Sequence, residues 1–160
     1  MLKYVDTAVT FAEVPNEISL CINISNCPCN CKGCHSPYLA KDIGEPLNLN
    51  NLTKLIKDNK GITCIAFMGG DINPTIVDAY ASIIKYRYPN LKVAWYSGRQ
   101  ELSKDIDLAY FDYIKLGPYI ESLGGLDSPT TNQKFFKVVD KELVDYTYKF
   151  WKNASIQHKT

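Results

Sequence analysis

The sequence predicts an α/β fold, an open, partial (β/α) barrel of about five to six parallel strands in a single domain spanning 1–160. Three observations predict it. Strand-like runs alternate with helix-like ones from Glu17 onward, the pattern of parallel strands joined by helical crossovers. About five such units are visible, too few for the eight of a closed barrel. The distinctive residues also fall where strands would end: a cysteine-rich loop, Gly69-Gly70, Ser97-Gly98 and Gly117-Pro118. Ligands of such sheets bind beyond the carboxyl ends of the strands.

Taken in order, Glu17–Ile24 alternates apolar and polar residues and reads as a strand. Ser25–Pro37 is a loop carrying cysteines. Asn48–Asn59 spaces Leu49, Leu52, Leu55 and Ile56 as a helix does, with asparagine able to cap its start. Ile62–Met68 is a short apolar strand stopped by two glycines. Pro74–Tyr88 reads as a helix with Asp71 or Asn73 as cap and proline in the first turn. Lys92–Tyr96 is a strand, Glu101–Leu108 a short helix and Tyr113–Leu116 a strand. Glu121–Gln133 is a long loop, Lys134–Val139 a last strand and Lys141–Lys152 a last helix.

Composition bounds the function classes. The 160 residues are 46% hydrophobic and 22% charged, with a formal net charge of +1. No basic excess points to nucleic acid, and no acidic tail is present. The longest apolar runs are too short to cross a bilayer. Met1–Asp6 lacks the apolar stretch of an export signal. The expectation is a soluble cytoplasmic protein with neither nucleic-acid nor membrane partners. Two histidines, His35 and His158, leave little for a histidine-based hydrolytic site.

The six cysteines stand at 21, 27, 29, 31, 34 and 64. A disulfide framework would spread along the chain, whereas clustered thiols bind metal or do redox chemistry. Read as C-x₃-C-x₂-C, the loop offers Cys27, Cys31 and Cys34. Three thiolates can hold three irons of a cubane [4Fe–4S] cluster, which leaves the fourth iron open to a ligand. The alternative is a zinc-stabilised binding module using all four thiols of Cys27–Cys34. A small electron carrier would need a fourth cysteine ligand for its cluster. Cys29 reads as a bystander between ligands. Cys21 and Cys64 read as buried thiols in strands.

These residues resemble those of radical S-adenosylmethionine enzymes, whose signature is C-x₃-C-x₂-C followed by an aromatic-type residue, here His35. More narrowly, the chain resembles the small activating proteins of glycyl-radical enzymes, in particular those of anaerobic (class III) ribonucleoside-triphosphate reductase. Met68-Gly69-Gly70-Asp71 is similar to that family's Gly-Gly-Asp/Glu segment, and Trp95-Tyr96-Ser97-Gly98 to its Tyr-Thr-Gly. Asp112–Tyr119 is similar to its Asp-apolar-Gly segment, and Thr130-Thr131-Asn132-Gln133 to its Ser-Ser-Asn-Gln. The likeness runs from Glu17 to Val139. Three departures stand out. Val14-Pro15-Asn16-Glu17 replaces a Gly-Pro-Gly-like turn, Ser36 stands where asparagine is common, and Leu116 stands where aspartate is common.

The resemblance implies a radical-SAM-type barrel and an oxidoreductase. Its cofactors would be a [4Fe-4S] cluster and S-adenosyl-L-methionine, cleaved reductively to place a glycyl radical on the reductase. The implied partners are that large glycyl-radical subunit and a reduced flavodoxin-like electron donor. The runner-up is an activase of the formate-lyase type. Gly69 and Gly70 would let backbone approach the methionine amino group, or simply form a strand-to-helix turn. Asp71 would cap the next helix or face the cationic cofactor. Gly33 and His35 would flank the adenine beside Cys34, and Tyr96 and Ser97 would line the rim. Asn132 and Gln133 would meet the partner. Lys115, a cation in an apolar strand, would neutralise a carboxylate or face water, and the second reading is preferred.

Overall fold

In the computed structural model, which describes residues 1–151, the centre of the sheet comes from short runs of β-branched and apolar residues. These are β1 (Lys3–Thr10), β2 (Ser19–Ile24), β3 (Glu45–Pro46), β4 (Cys64–Met68), β5 (Lys92–Tyr96), β6 (Tyr113–Leu116), β7 (Lys134–Val139) and β8 (Glu142–Asp145). They form one sheet in the order β3-β1-β2-β4-β5-β6-β7-β8. Only β2, β4, β5 and β6 run parallel to one another. β1 and β3 extend one side antiparallel, and β7 and β8 the other.

The expected open (β/α) barrel of parallel strands is therefore wrong: the fold is a mixed, eight-stranded sheet with two α-helices among the described residues. Those helices are α1 (Leu49–Asp58) and α2 (Pro74–Arg87). The reason lies at both ends of the chain. The last helix, expected over Lys141–Lys152, is instead a hairpin strand and a 3-10 turn at Thr147–Phe150; its final residue, Lys152, lies outside the described residues. Asp140 and Lys141 both adopt positive φ (51° and 63°) between the paired Val139 and Glu142. Two left-handed central residues make the turn whose twist suits a tight hairpin, and the chain folds straight back. The short helix expected over Glu101–Leu108 does not form either; a 3-10 turn follows at Leu108–Tyr110. Only two of the parallel connections thus carry α-helices.

Where the expectations hold, the local chemistry is visible. Asn48 caps α1, its Oδ1 accepting from the amide of Asn51 at 2.8 Å. Such a cap stabilises a helix by about 1 kcal/mol. Asn73, not Asp71, is the cap residue of α2, followed by Pro74. α1 buries Leu52 and Ile56, and α2 buries Val77, Ala81 and Ile84, one helical face each.

Side chains alternate across a sheet, and here the two faces differ. The helix side holds the bulky core, including Leu20, Ile22, Ile65, Phe67, Trp95 and Ile114. The opposite face carries small or polar residues: Cys21, Cys64, Ala66 and Ala94, with Tyr113 and Phe135 beside them. Small side chains on that face leave space above the carboxyl ends of the parallel strands.

Candidate metal centre

The loop after β2 is shaped by its own residues. Asn26, Asn30 and Gly33 take positive φ (59°, 46° and 77°). Asparagine and glycine tolerate that conformation best, and they alternate with the cysteines. The amides of Asn26 and Cys27 donate to the carbonyls of Lys41 (2.9 Å) and Leu39 (2.8 Å), anchoring the start of the loop. The Cys34 amide donates to the Cys31 carbonyl at 3.2 Å, which folds the second half into a turn. The Ser36 amide donates to Cys34 Sγ at 3.5 Å.

All four thiols of the loop line one cavity of 590 Å³, a volume typical of small-molecule sites. Among the described residues no three thiol, imidazole or carboxylate groups converge on a single metal ion. The loop thiols stand instead along the wall of the cavity.

Of the expected site residues, Cys27, Cys31, Cys34, His35, Gly69, Asp71 and Tyr96 reach this cavity. Gly33, Gly70 and Ser97 are not among its lining. A Cβ on Gly33 would meet Glu121 Oε2 at 2.9 Å, so this glycine lets the cysteine loop sit close to the later loop. Gly70 is buried, and a Cβ there would meet Val77 Cγ2 at 2.6 Å; it serves the strand-to-helix turn. Ser97 is buried, its hydroxyl donating to Asp71 Oδ1 at 2.5 Å. Tyr96 gives the cavity its ring and anchors its hydroxyl on the Glu13 carbonyl. The exposed imidazole of His35 lies 5.3 Å from the Tyr119 ring, tilted by 50°. Of the loop residues expected to meet a partner, Gln133 lines the cavity, while Asn132 donates to the Pro118 carbonyl at 3.0 Å.

Asp71 neither caps a helix nor stands free. Its Oδ2 accepts from the Gly98 amide at 2.9 Å and from Cys29 Sγ at 3.7 Å. Burial first, then the charge of Asp71, pushes the Cys29 thiol up to about 12; Cys27 adds to the rise and Arg99 opposes it. The bond to Asp71 holds Cys29 in its thiol form, whereas metal binds the thiolate. Gly98 leaves the room, since a Cβ there would meet Cys29 Sγ at 2.7 Å.

Sequence reasoning missed this Cys29–Asp71–Ser97 link, which spans three loops, and it misplaced Lys115. Lys115 lines the cavity rather than facing bulk water. The signal was available: in β6 it is in phase with Tyr113, not with Ile114 and Leu116.

The donor set fits an iron–sulfur cluster in its chemistry: four soft thiols line one cavity that has space for a further group. A family model described as a 4Fe-4S single cluster domain matches residues 18–123, more than half of the chain. The chain belongs to that family. It is an iron–sulfur protein, and the matched span begins just before β2 and takes in the cysteine loop and every parallel strand. No curated protein and no solved structure matches the chain. Among the described residues, no helix of this cluster domain is long and apolar enough to cross a membrane.

Proposed function

We propose that this cluster domain is a radical S-adenosylmethionine enzyme that activates a glycyl-radical partner, with anaerobic ribonucleotide reductase as the first candidate. The observation that carries the reading is that Cys27, Cys31 and Cys34 all line one cavity with volume to spare, while Cys29 is held by Asp71. A [4Fe-4S] cluster held by those three cysteines would supply one electron and, at its fourth iron, a seat for the amino and carboxylate groups of S-adenosylmethionine.

The chain's own residues have definite tasks in this reading. Gly69 presents backbone to the ligand. Trp95 Nε1 donates to the Gly69 carbonyl at 2.7 Å and fixes that turn. His35 and Tyr119 form an aromatic wall suited to a purine ring. Apolar groups such as Met68, Leu126 and Phe150 exclude water from the rest of the cavity. The physiological reductant in this reading is a reduced flavodoxin-like protein.

The test is anaerobic reconstitution with iron and sulfide, reduction, addition of S-adenosylmethionine, and measurement of 5′-deoxyadenosine. Wild type should form it and Cys31→Ala should not. A wild type that binds zinc, takes up no cluster and cleaves nothing sinks the proposal in favour of a zinc-stabilised module. A wild type that cleaves S-adenosylmethionine but labels only a formate-lyase-type partner moves the assignment to that activase.

A further inference from the structure

Lys115 is the one cation of an otherwise apolar strand. Alternation along β6 sends Ile114 and Leu116 into the helix-side core and leaves Tyr113 and Lys115 on the cavity face. The register sets Lys115 beside Tyr96, Tyr96 beside Met68, and Met68 beside Asn23, a row across the four parallel strands near their carboxyl ends. Inward-pointing charges often protect a sheet edge. β6 lies between β5 and β7, so Lys115 protects none.

Its ammonium donates to the carbonyls of Ser97 at 3.1 Å and Gly117 at 2.7 Å. Both acceptors are neutral, and an ammonium has three donors. Among the described residues no carboxylate lies within ion-pair distance of it. Of the three acids that line its cavity, Glu13 and Asp127 make no ion pair with it, and Asp71 is already engaged by Ser97, Gly98 and Cys29. Burial works against the positive charge, while Asp71 and the loop thiols Cys31, Cys29 and Cys27 favour it. Lys115 is half-buried, and a cation drawn partly out of water is held best where an anion offsets its desolvation. The anion this cavity is built to hold is a cluster with its thiolates.

We infer that Lys115 is the charge partner of the iron–sulfur cluster, its ammonium favouring the reduced state and so raising the reduction potential. The inference rests on the cluster site assigned above. One electron enters from an external reductant of the dithionite type and takes the cluster core from its 2+ to its 1+ state. No bond forms or breaks and no proton moves, so the cavity gains one negative charge beside the ammonium. Cluster potentials respond to such local charge.

The test is a reductive titration of the reconstituted full chain, followed by electron paramagnetic resonance without S-adenosylmethionine. It compares wild type with Lys115→Met, Lys115→Gln and Lys115→Arg at matched iron and sulfide content. Met and Gln variants should titrate at more negative potential, with the reduced-to-oxidised ratio lowered roughly tenfold at fixed potential, about 59 mV for one electron. The Arg variant should stay near wild type. Uncharged variants that titrate with wild type overturn the inference. So does a shift that appears only after S-adenosylmethionine is added, because Lys115 would then serve the ligand's carboxylate. If the uncharged variants fold by circular dichroism but load no cluster while Arg loads it, the charge is required and the inference stands. If Arg fails with them, shape rather than charge is at work and the inference falls. A wild type that holds a cluster but forms no 5′-deoxyadenosine sinks the enzymatic proposal and leaves this one open to its own readout. A wild type that takes up no cluster sinks both.

Discussion

Cys29 stands between Cys27 and Cys31 in the sequence, yet its thiol donates to Asp71, 42 residues away. An iron–sulfur protein was legible because clustered, spaced cysteines are the chemistry of such a cluster. Cys29 could be read as a bystander, but its bond to Asp71 could not, because the carboxylate comes from a different strand end. Ser97 shows the same limit: its position at the rim was readable, but its burial against Asp71 was not. Held by its bond to Asp71 and pushed up to about 12, chiefly by burial, the Cys29 thiol must give up a carboxylate partner before it can bind metal. Cys29→Ala is therefore expected to keep the iron and sulfide content of wild type after anaerobic reconstitution. Alanine at Cys27, Cys31 or Cys34 should lose most of it. Iron lost on substitution of Cys29 alone would put that cysteine in the ligand set and displace one of the others.

At the scale of elements, the parallel block β2-β4-β5-β6 and both α-helices were readable from period and caps alone. Of the flanking strands, β7 was readable as well, with its observed bounds, whereas β1, β3 and β8 were not. β1 is rich in strand formers (Tyr4, Val5, Thr7, Val9 and Thr10), but at the start of the chain nothing in its own pattern says which strand it will join. β8 carries Glu142-Leu143-Val144-Asp145, a stretch equally compatible with helix. Its fate is decided by the left-handed pair Asp140-Lys141, which lacks the glycine that usually announces such a turn. The β4–α2 turn gives a sharper test of element-level physics. Gly70 has φ +98° and its missing Cβ points at Val77 Cγ2, so alanine there meets both backbone strain and overpacking against α2. Gly70→Ala should destabilise the metal-free chain by about 3 kcal/mol, read as a lowered urea midpoint at unchanged slope. A loss within about 0.5 kcal/mol, the range of an ordinary surface change, would show that α2 can shift to admit the methyl group.

For the whole molecule, one sheet separates two cores, and the cavity-side core buries two thiols and a tyrosine. Cys21, Cys64 and Tyr113 are buried there, with Tyr96 packed against them. Burial is the first cause in every case: it pushes Cys21 and Cys64 up to about 12 and raises Tyr96 and Tyr113 as well. In the unfolded chain these thiols ionise near their ordinary value of 9.0. Above that pH the unfolded chain releases protons that the folded chain keeps. The unfolded state then binds fewer protons, and stability falls as pH rises. The contribution of the buried thiols is complete below about pH 9 and is lost progressively toward about 12. For Cys64, which is 0% exposed, the limiting slope is about 1.4 kcal/mol per pH unit. Urea unfolding of the metal-free chain from neutral pH to about pH 10.5 should show this decline. Cys64→Ala lowers stability at neutral pH by leaving a small void, but its decline with pH should be shallower than that of wild type. Parallel declines in the two proteins would mean that Cys64 ionises without unfolding the core, and that the cavity-side face admits water in the native state.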